Sequence, residues 1–188
     1  MGRDVSSLQV FIRCRGDRGS RERLFDDIWV RYQKRLAFFI RNMVKTDGED
    51  LLQEVMEKVF RNIERYNPIF SFNTWIYSIA RNHCLNHMAK RVLPLAGGGG
   101  EEEVEPPAGT NNSPEEQVLG KELRNKIDKI LDTFSEENRQ IAFFRFYEGM
   151  KHREIARILN IPTGTAKSRV HAIRTALRMA LEEYDETR

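Results

Sequence analysis

The sequence predicts an all-α fold of two small helical domains joined by a flexible linker. Three observations carry that expectation. Apolar residues recur at helical intervals in two separate stretches, roughly 21–91 and 119–188, and no β-rich alternating run of useful length occurs. Between them, residues 92–118 hold Gly97-Gly98-Gly99-Gly100, Glu101-Glu102-Glu103, Pro106-Pro107, six Glu in all and no Lys or Arg. Such a stretch has too little apolar surface to offset its chain entropy.

The length, 188 residues, accommodates one large domain or two small ones, and 40% hydrophobic against 31% charged residues is apolar enough for cores. No apolar run approaches the roughly 18–20 residues of a spanning helix, so no membrane insertion is expected. Cys14 and Cys84 alone make no disulfide framework, which points to a reducing, cytoplasmic setting. The net charge of +3 hints at a polyanionic partner.

Residues 1–20 read as an N-terminal extension. Leu24, Phe25, Ile28, Tyr32 and Leu36 then outline a core helix. The segment from Glu49 to Tyr66 reads as one amphipathic helix with Leu52, Val55, Met56, Val59 and Ile63 inward. Asp50, Gln53, Glu54, Glu57 and Arg61 lie opposite, a face that pattern alone would call merely solvated. From Thr74 to Arg91 there are three basic residues and no acid, with Trp75, Ile76 and Ile79 as an apolar stripe and Asn82 and Asn86 one turn apart. His83 and His87 are spaced for a shared metal, but a third convergent ligand is missing and no metal site is read there. No nucleophile–base set, carboxylate pair or phosphate loop stands out, so no catalytic residue and no cofactor are expected.

In the second domain Leu123, Ile127, Ile130, Leu131 and Phe134 fall at helical spacing. Ser135 before Glu136-Glu137 is an N-cap, followed by Ile141, Phe144 and Tyr147, and Gly149 suits the helix end. A short helix covers roughly Lys151 to Leu159, residues 160–164 break it, and a longer helix begins near Thr165. Ala166, Val170, Ile173, Leu177 and Leu181 form its apolar stripe. Its other side offers Ser168, His171 and Thr175 framed by Lys167, Arg169, Arg174 and Arg178, four cations with no acid between Thr165 and Leu181. A solvated basic helix would share the charge. The two short helices, the break and the longer cationic helix together point to a helix-turn-helix that enters a major groove.

Tyr147-Glu148-Gly149-Met150-Lys151-His152-Arg153-Glu154-Ile155-Ala156 followed by Gly164-Thr165-Ala166-Lys167-Ser168-Arg169-Val170-His171 resembles region four of bacterial sigma factors. Glu49-Asp50-Leu51-Leu52-Gln53-Glu54-Val55-Met56-Glu57-Lys58-Val59-Phe60 resembles region two. With only these two regions recognisable, the chain is similar to the extracytoplasmic-function group. The resemblance implies a non-enzymatic subunit that binds core RNA polymerase, at the β′ coiled coil and the β flap, and directs promoter melting. It implies core-polymerase binding at Asp50, Gln53, Glu54 and Glu57. Single-stranded minus-ten DNA would meet Phe70, Phe72, Asn73, Asn82, Asn86, Lys90 and Arg91, with a flipped base in the loop near Ile69 to Asn73; Phe70 and Phe72 suit core packing as well as contact with bases. Duplex minus-thirty-five DNA would meet Thr165, Lys167, Ser168, Arg169, His171 and Arg174. Many family members carry Arg directly after that His; this chain has Ala172, which bears on the base sequence it prefers. An anti-sigma factor is a further implied partner.

Overall fold

The computed structural model of the chain describes residues 7–44, 48–91 and 127–186, and every regular element among them is helical. The chain divides into two compact units, Met1–Pro107 and Ala108–Arg188. The acidic stretch 92–118 and Leu123 lie outside the described residues.

In the first unit, α1 (Ser7–Arg13), α2 (Arg18–Val44), α3 (Glu49–Asn62) and α4 (Phe72–Arg91) follow in order, with a 3₁₀ turn at Ile63–Arg65. Helix α2 buries Leu24, Ile28, Tyr32, Leu36, Phe39, Ile40 and Met43, each three or four residues from another, which keeps one face inward. Against it pack Leu51, Val55, Met56 and Val59 of α3 and Ile76, Tyr77, Ala80 and Cys84 of α4. Each fully buried large side chain contributes about 1.5–3 kcal/mol relative to exposure.

Three details differ from the sequence expectation. The α3 stripe is rotated: Leu51, 3% exposed, is the buried member of the Leu51-Leu52 pair. The α helix also ends at Asn62, and Ile63 enters the core from the 3₁₀ turn. The largest difference is at the N-terminus, where residues from Ser7 onward are part of the body. Val10 and Cys14 are fully buried, Arg13 pairs with Asp27 at 2.7 Å, and Ser7 Oγ accepts the Phe72 N–H at 3.2 Å. With seven residues, and with Leu8 and Ile12 facing outward, α1 has no periodic window to detect.

The second unit begins, among described residues, with α5 (127–132), where Ile127, Ile130 and Leu131 are half-buried. Ser135 caps α6 (Glu136–Ala142), its Oγ accepting the Asn138 N–H at 3.4 Å, with Glu136 and Glu137 in the first turn. The helix continues as a π turn, Phe143–Tyr147, in which the Glu148 N–H reaches the Phe143 carbonyl at 3.1 Å. Gly149, at φ +68°, turns the chain into α7 (His152–Leu159). Space around a Cβ there is open, so Gly149→Ala meets only the backbone penalty of the left-handed region. It is expected to cost about 1–2 kcal/mol, read as a lowered urea midpoint with an unchanged slope.

Asn160, at φ 56°, closes α7, and the Ile161 N–H returns to the Ala156 carbonyl at 3.0 Å. Helix α8 (Thr163–Glu186) therefore starts earlier than the expected Thr165, because the left-handed residue alone completes the break and Pro162 offers its carbonyl to Ala166 N–H at 3.1 Å. Ala166, Val170 and Ile173 are buried where α8 packs on α7, which buries Ile155, Ala156, Ile158 and Leu159, and on α6, which buries Ile141. Leu177 and Leu181 continue the stripe half-buried.

Candidate functional site

Three polar faces can be built from these elements. On α3, packing of Leu51, Val55, Met56 and Val59 turns Asp50, Gln53, Glu54 and Glu57 outward, and all four are exposed. Glu57 pairs with Arg61 one turn on, at 3.1 Å. Glu54 reaches sideways to His83 of α4, its Oε2 2.6 Å from the imidazole Nε2.

On α4, the inward positions Phe72, Ile76, Tyr77, Ala80, His83 and Cys84 leave Asn82, Asn86 and Lys90 as an exposed row. Arg91 ends the helix, its side chain outside the described set. Trp75 is half-buried, its ring 5.4 Å from Tyr66 and 5.5 Å from Phe72. Phe72, for which the sequence leaves packing and base contact open, is 3% exposed and packed on Tyr32, Tyr66 and Trp75, because it opens the helix on its core side. Asn73 is half-buried and its Oδ1 takes the Tyr32 hydroxyl, so its oxygen is committed internally.

The loop before α4 is held from within. Tyr66, 1% exposed, donates its hydroxyl to the Phe70 carbonyl at 2.7 Å, and burial raises its pKa. Asn67 Oδ1 accepts the Ile69 N–H at 3.0 Å, an Asx turn. Ser71 Oγ accepts the Thr74 N–H at 3.2 Å. Phe70 is half-buried, while Ile69 stands at the tip 77% exposed. An exposed apolar side chain on a braced loop, followed by a helix that carries exposed amides, suits unstacked bases better than a duplex phosphate.

The third face is the outer side of α8. Lys167, Ser168, His171 and Arg174 are exposed, and Thr165 is half-buried. Ser168 Oγ donates back to the Thr165 carbonyl at 3.0 Å. Arg169 turns toward its own domain and pairs with Glu137 in the first turn of α6. Among these positions the cations left exposed are Lys167 and Arg174, flanking Ser168 and His171, an arrangement chemically suited to a polyanion with short polar groups between the charges.

Comparison with known proteins bears on what these faces serve. Residues 28–92 match the family model of sigma-70 region 2, and residues 124–177 match that of sigma-70 region 4. The two matches together span more than half of the chain. The chain belongs to the extracytoplasmic-function group of the sigma-70 family. It is 28% identical over 163 residues to the sigma-E factor of Escherichia coli strain K12, covering 83% of this chain and 85% of that one. To the sigma factor SigW of Bacillus subtilis strain 168 it is 29% identical over 143 residues, covering 73% and 76%. The fold is similar to that of RpoE solved with the anti-sigma factor NepR from Bartonella quintana, at TM-score 0.62, 22% identity, and 84% and 96% coverage. It is also similar to CnrH solved with the cytosolic domain of CnrY, at TM-score 0.60, 16% identity, and 96% and 99% coverage.

Within this sigma factor, α3 and α4 lie inside the region 2 match, and α6, α7 and most of α8 inside the region 4 match. Among the described residues no group of three or more His, Cys, Asp or Glu side chains gathers as metal ligands. His83 has Glu54 on one ring nitrogen and Lys58 on the other. Cys84 is fully buried and its thiol is pushed up to about 11 by desolvation; burial raises the Cys14 thiol as well. No helix among the described residues is long and apolar enough to cross a membrane. Sequence reasoning missed His83, Lys58 and Glu137 as supports of these faces, since pairings 29, 25 and 32 residues apart leave no local periodicity.

Proposed function

We propose that this sigma factor binds core RNA polymerase through the Asp50, Gln53, Glu54 and Glu57 face, captures the melted minus-ten strand with α4 and its preceding loop, and reads the minus-thirty-five duplex with α8. The observation that carries the reading is the exposed row Asn82, Asn86 and Lys90 on a helix whose opposite side is core. Amides can pair with the edges of unpaired bases, and Lys90 can follow the backbone. On α8, Lys167 and Arg174 supply the phosphate contacts, while Thr165, Ser168 and His171 face the groove; Arg169, tied to Glu137, fixes the orientation of the helix.

The role is one of binding rather than catalysis. Preference for the unpaired strand shifts the promoter from closed to open, because a ligand favouring one state moves the population toward it. The β′ coiled coil would receive α3 and the β flap the region 4 domain. RpoE, similar in fold and solved with the anti-sigma factor NepR, supports an anti-sigma factor as the restraint on the free protein.

Run-off transcription with core polymerase and a library of genomic promoter fragments tests the proposal. Transcripts with defined start sites that depend on the added protein are expected. Failure to associate with core polymerase, or association without start-site-specific RNA, overturns it.

A further inference from the structure

One polar group lies between the proposed docking face and the proposed strand-capture helix and is used by neither. His83 sits on the inner side of α4, 9% exposed, beside the fully buried Ala80 and Cys84. Its Nε2 is 2.6 Å from Glu54 Oε2, and its Nδ1 is 2.5 Å from Lys58 Nζ. Glu54 and Lys58 stand one turn apart on the exposed side of α3. An ammonium can only donate and a carboxylate can only accept. The arrangement is therefore satisfied by the neutral tautomer whose Nδ1 accepts from Lys58 and whose Nε2–H donates to Glu54.

We infer that His83 is a positioning residue for polymerase docking: from inside the body it holds the Glu54 carboxylate and the Lys58 ammonium in one arrangement before the partner arrives. The Glu54 side chain remains 59% exposed, so one oxygen is held while the group still faces outward. A free surface Glu or Lys loses rotamer freedom when it docks, and side chains ordered beforehand have less to lose. The same imidazole joins α3 to α4, so the docking face and the strand-capture helix share one anchor. Glu57 of the same face is by contrast paired with Arg61 on its own helix. The inference rests on the reading of α3 as the docking face.

Two conservative variants separate the contacts. Asn places its amide near the position of Nδ1, and Gln reaches the position of Nε2. The affinity of the full-length protein for core polymerase is measured by fluorescence titration, with a thermal melt for each variant. Glu54→Gln is expected to weaken binding roughly tenfold. His83→Gln, which still donates to Glu54, is expected to stay within about twofold of wild type, whereas His83→Asn and His83→Leu lose about five- to tenfold. His83→Leu combined with Glu54→Gln is expected to be no weaker than Glu54→Gln alone, because the two act through one contact. A purely structural role for His83 would instead make the losses add, or make Gln and Asn equally poor. Either result overturns the inference, as does unchanged affinity of His83→Asn beside a weakened Glu54→Gln. Should Glu54→Gln itself bind normally, the docking face is misassigned and the inference falls with it. If His83→Leu fails to fold, the Gln and Asn pair still decides the matter.

Discussion

Replacing Asn82 and Asn86 together by Ala is expected to leave polymerase affinity and thermal stability unchanged while lowering run-off transcript yield at least thirtyfold. Both side chains are exposed on α4, so their removal opens no cavity, and exposed substitutions of this kind usually stay within about 0.5 kcal/mol of wild-type stability. An amide that reads a base edge contributes about 1–3 kcal/mol. Two such contacts amount to roughly 2–6 kcal/mol, and the lower bound already corresponds to about thirtyfold. The loss belongs to the open complex, so permanganate reactivity of melted thymines should fall in step with the transcript. On a template already unpaired across the minus-ten element the variant should lose less, since strand separation no longer draws on those contacts. Equal yields from wild type and variant on duplex templates would remove α4 from promoter opening.

The second large effect is structural. Phe144 is fully buried in the π turn, which packs against α7 and continues α6, the helix that backs α8. Phe144→Ala is expected to cost about 3–5 kcal/mol, from lost transfer energy and the cavity left behind. A unit as small as Ala108–Arg188 has a thin margin against such a loss. Circular dichroism should therefore show part of the helical signal melting at low temperature, while the remainder, from the unit built on α2, α3 and α4, melts where it did before. Duplex binding through α8 should disappear along with the first transition. A single unshifted transition would mean that the π turn contributes little to holding α8 in place.

The helices that were plain in the sequence are those whose burial is periodic and local. Val55, Met56 and Val59 mark α3, and Ala166, Val170 and Ile173 mark α8, by spacing alone. Ser135 and Gly149 were readable because capping and a left-handed turn demand particular residue types. What escaped depends on distant partners. Helix α1 is held by Val10 and Cys14 against residues it meets only after folding, while Leu8 and Ile12 spoil its local pattern. Phe72 suits packing and base contact equally in the sequence, because composition does not distinguish a stacking platform from a core ring; its ring partner Tyr32 lies forty residues earlier. Arg169 and His83 were legible as polar residues on the correct helices. Their partners, Glu137 and Glu54, were not legible as partners, since an ion pair across two helices has no signature in either one.

The hydrogen bond from the Phe72 N–H to Ser7 Oγ joins the first described residue of the chain to the start of α4. During synthesis Ser7 leaves the ribosome long before Phe72 does, so α1 meets α2 first and lacks this bond until α4 has emerged. The first unit can close only after α4 has cleared the exit tunnel, because α4 supplies partners to α2 and α3 as well as to Ser7.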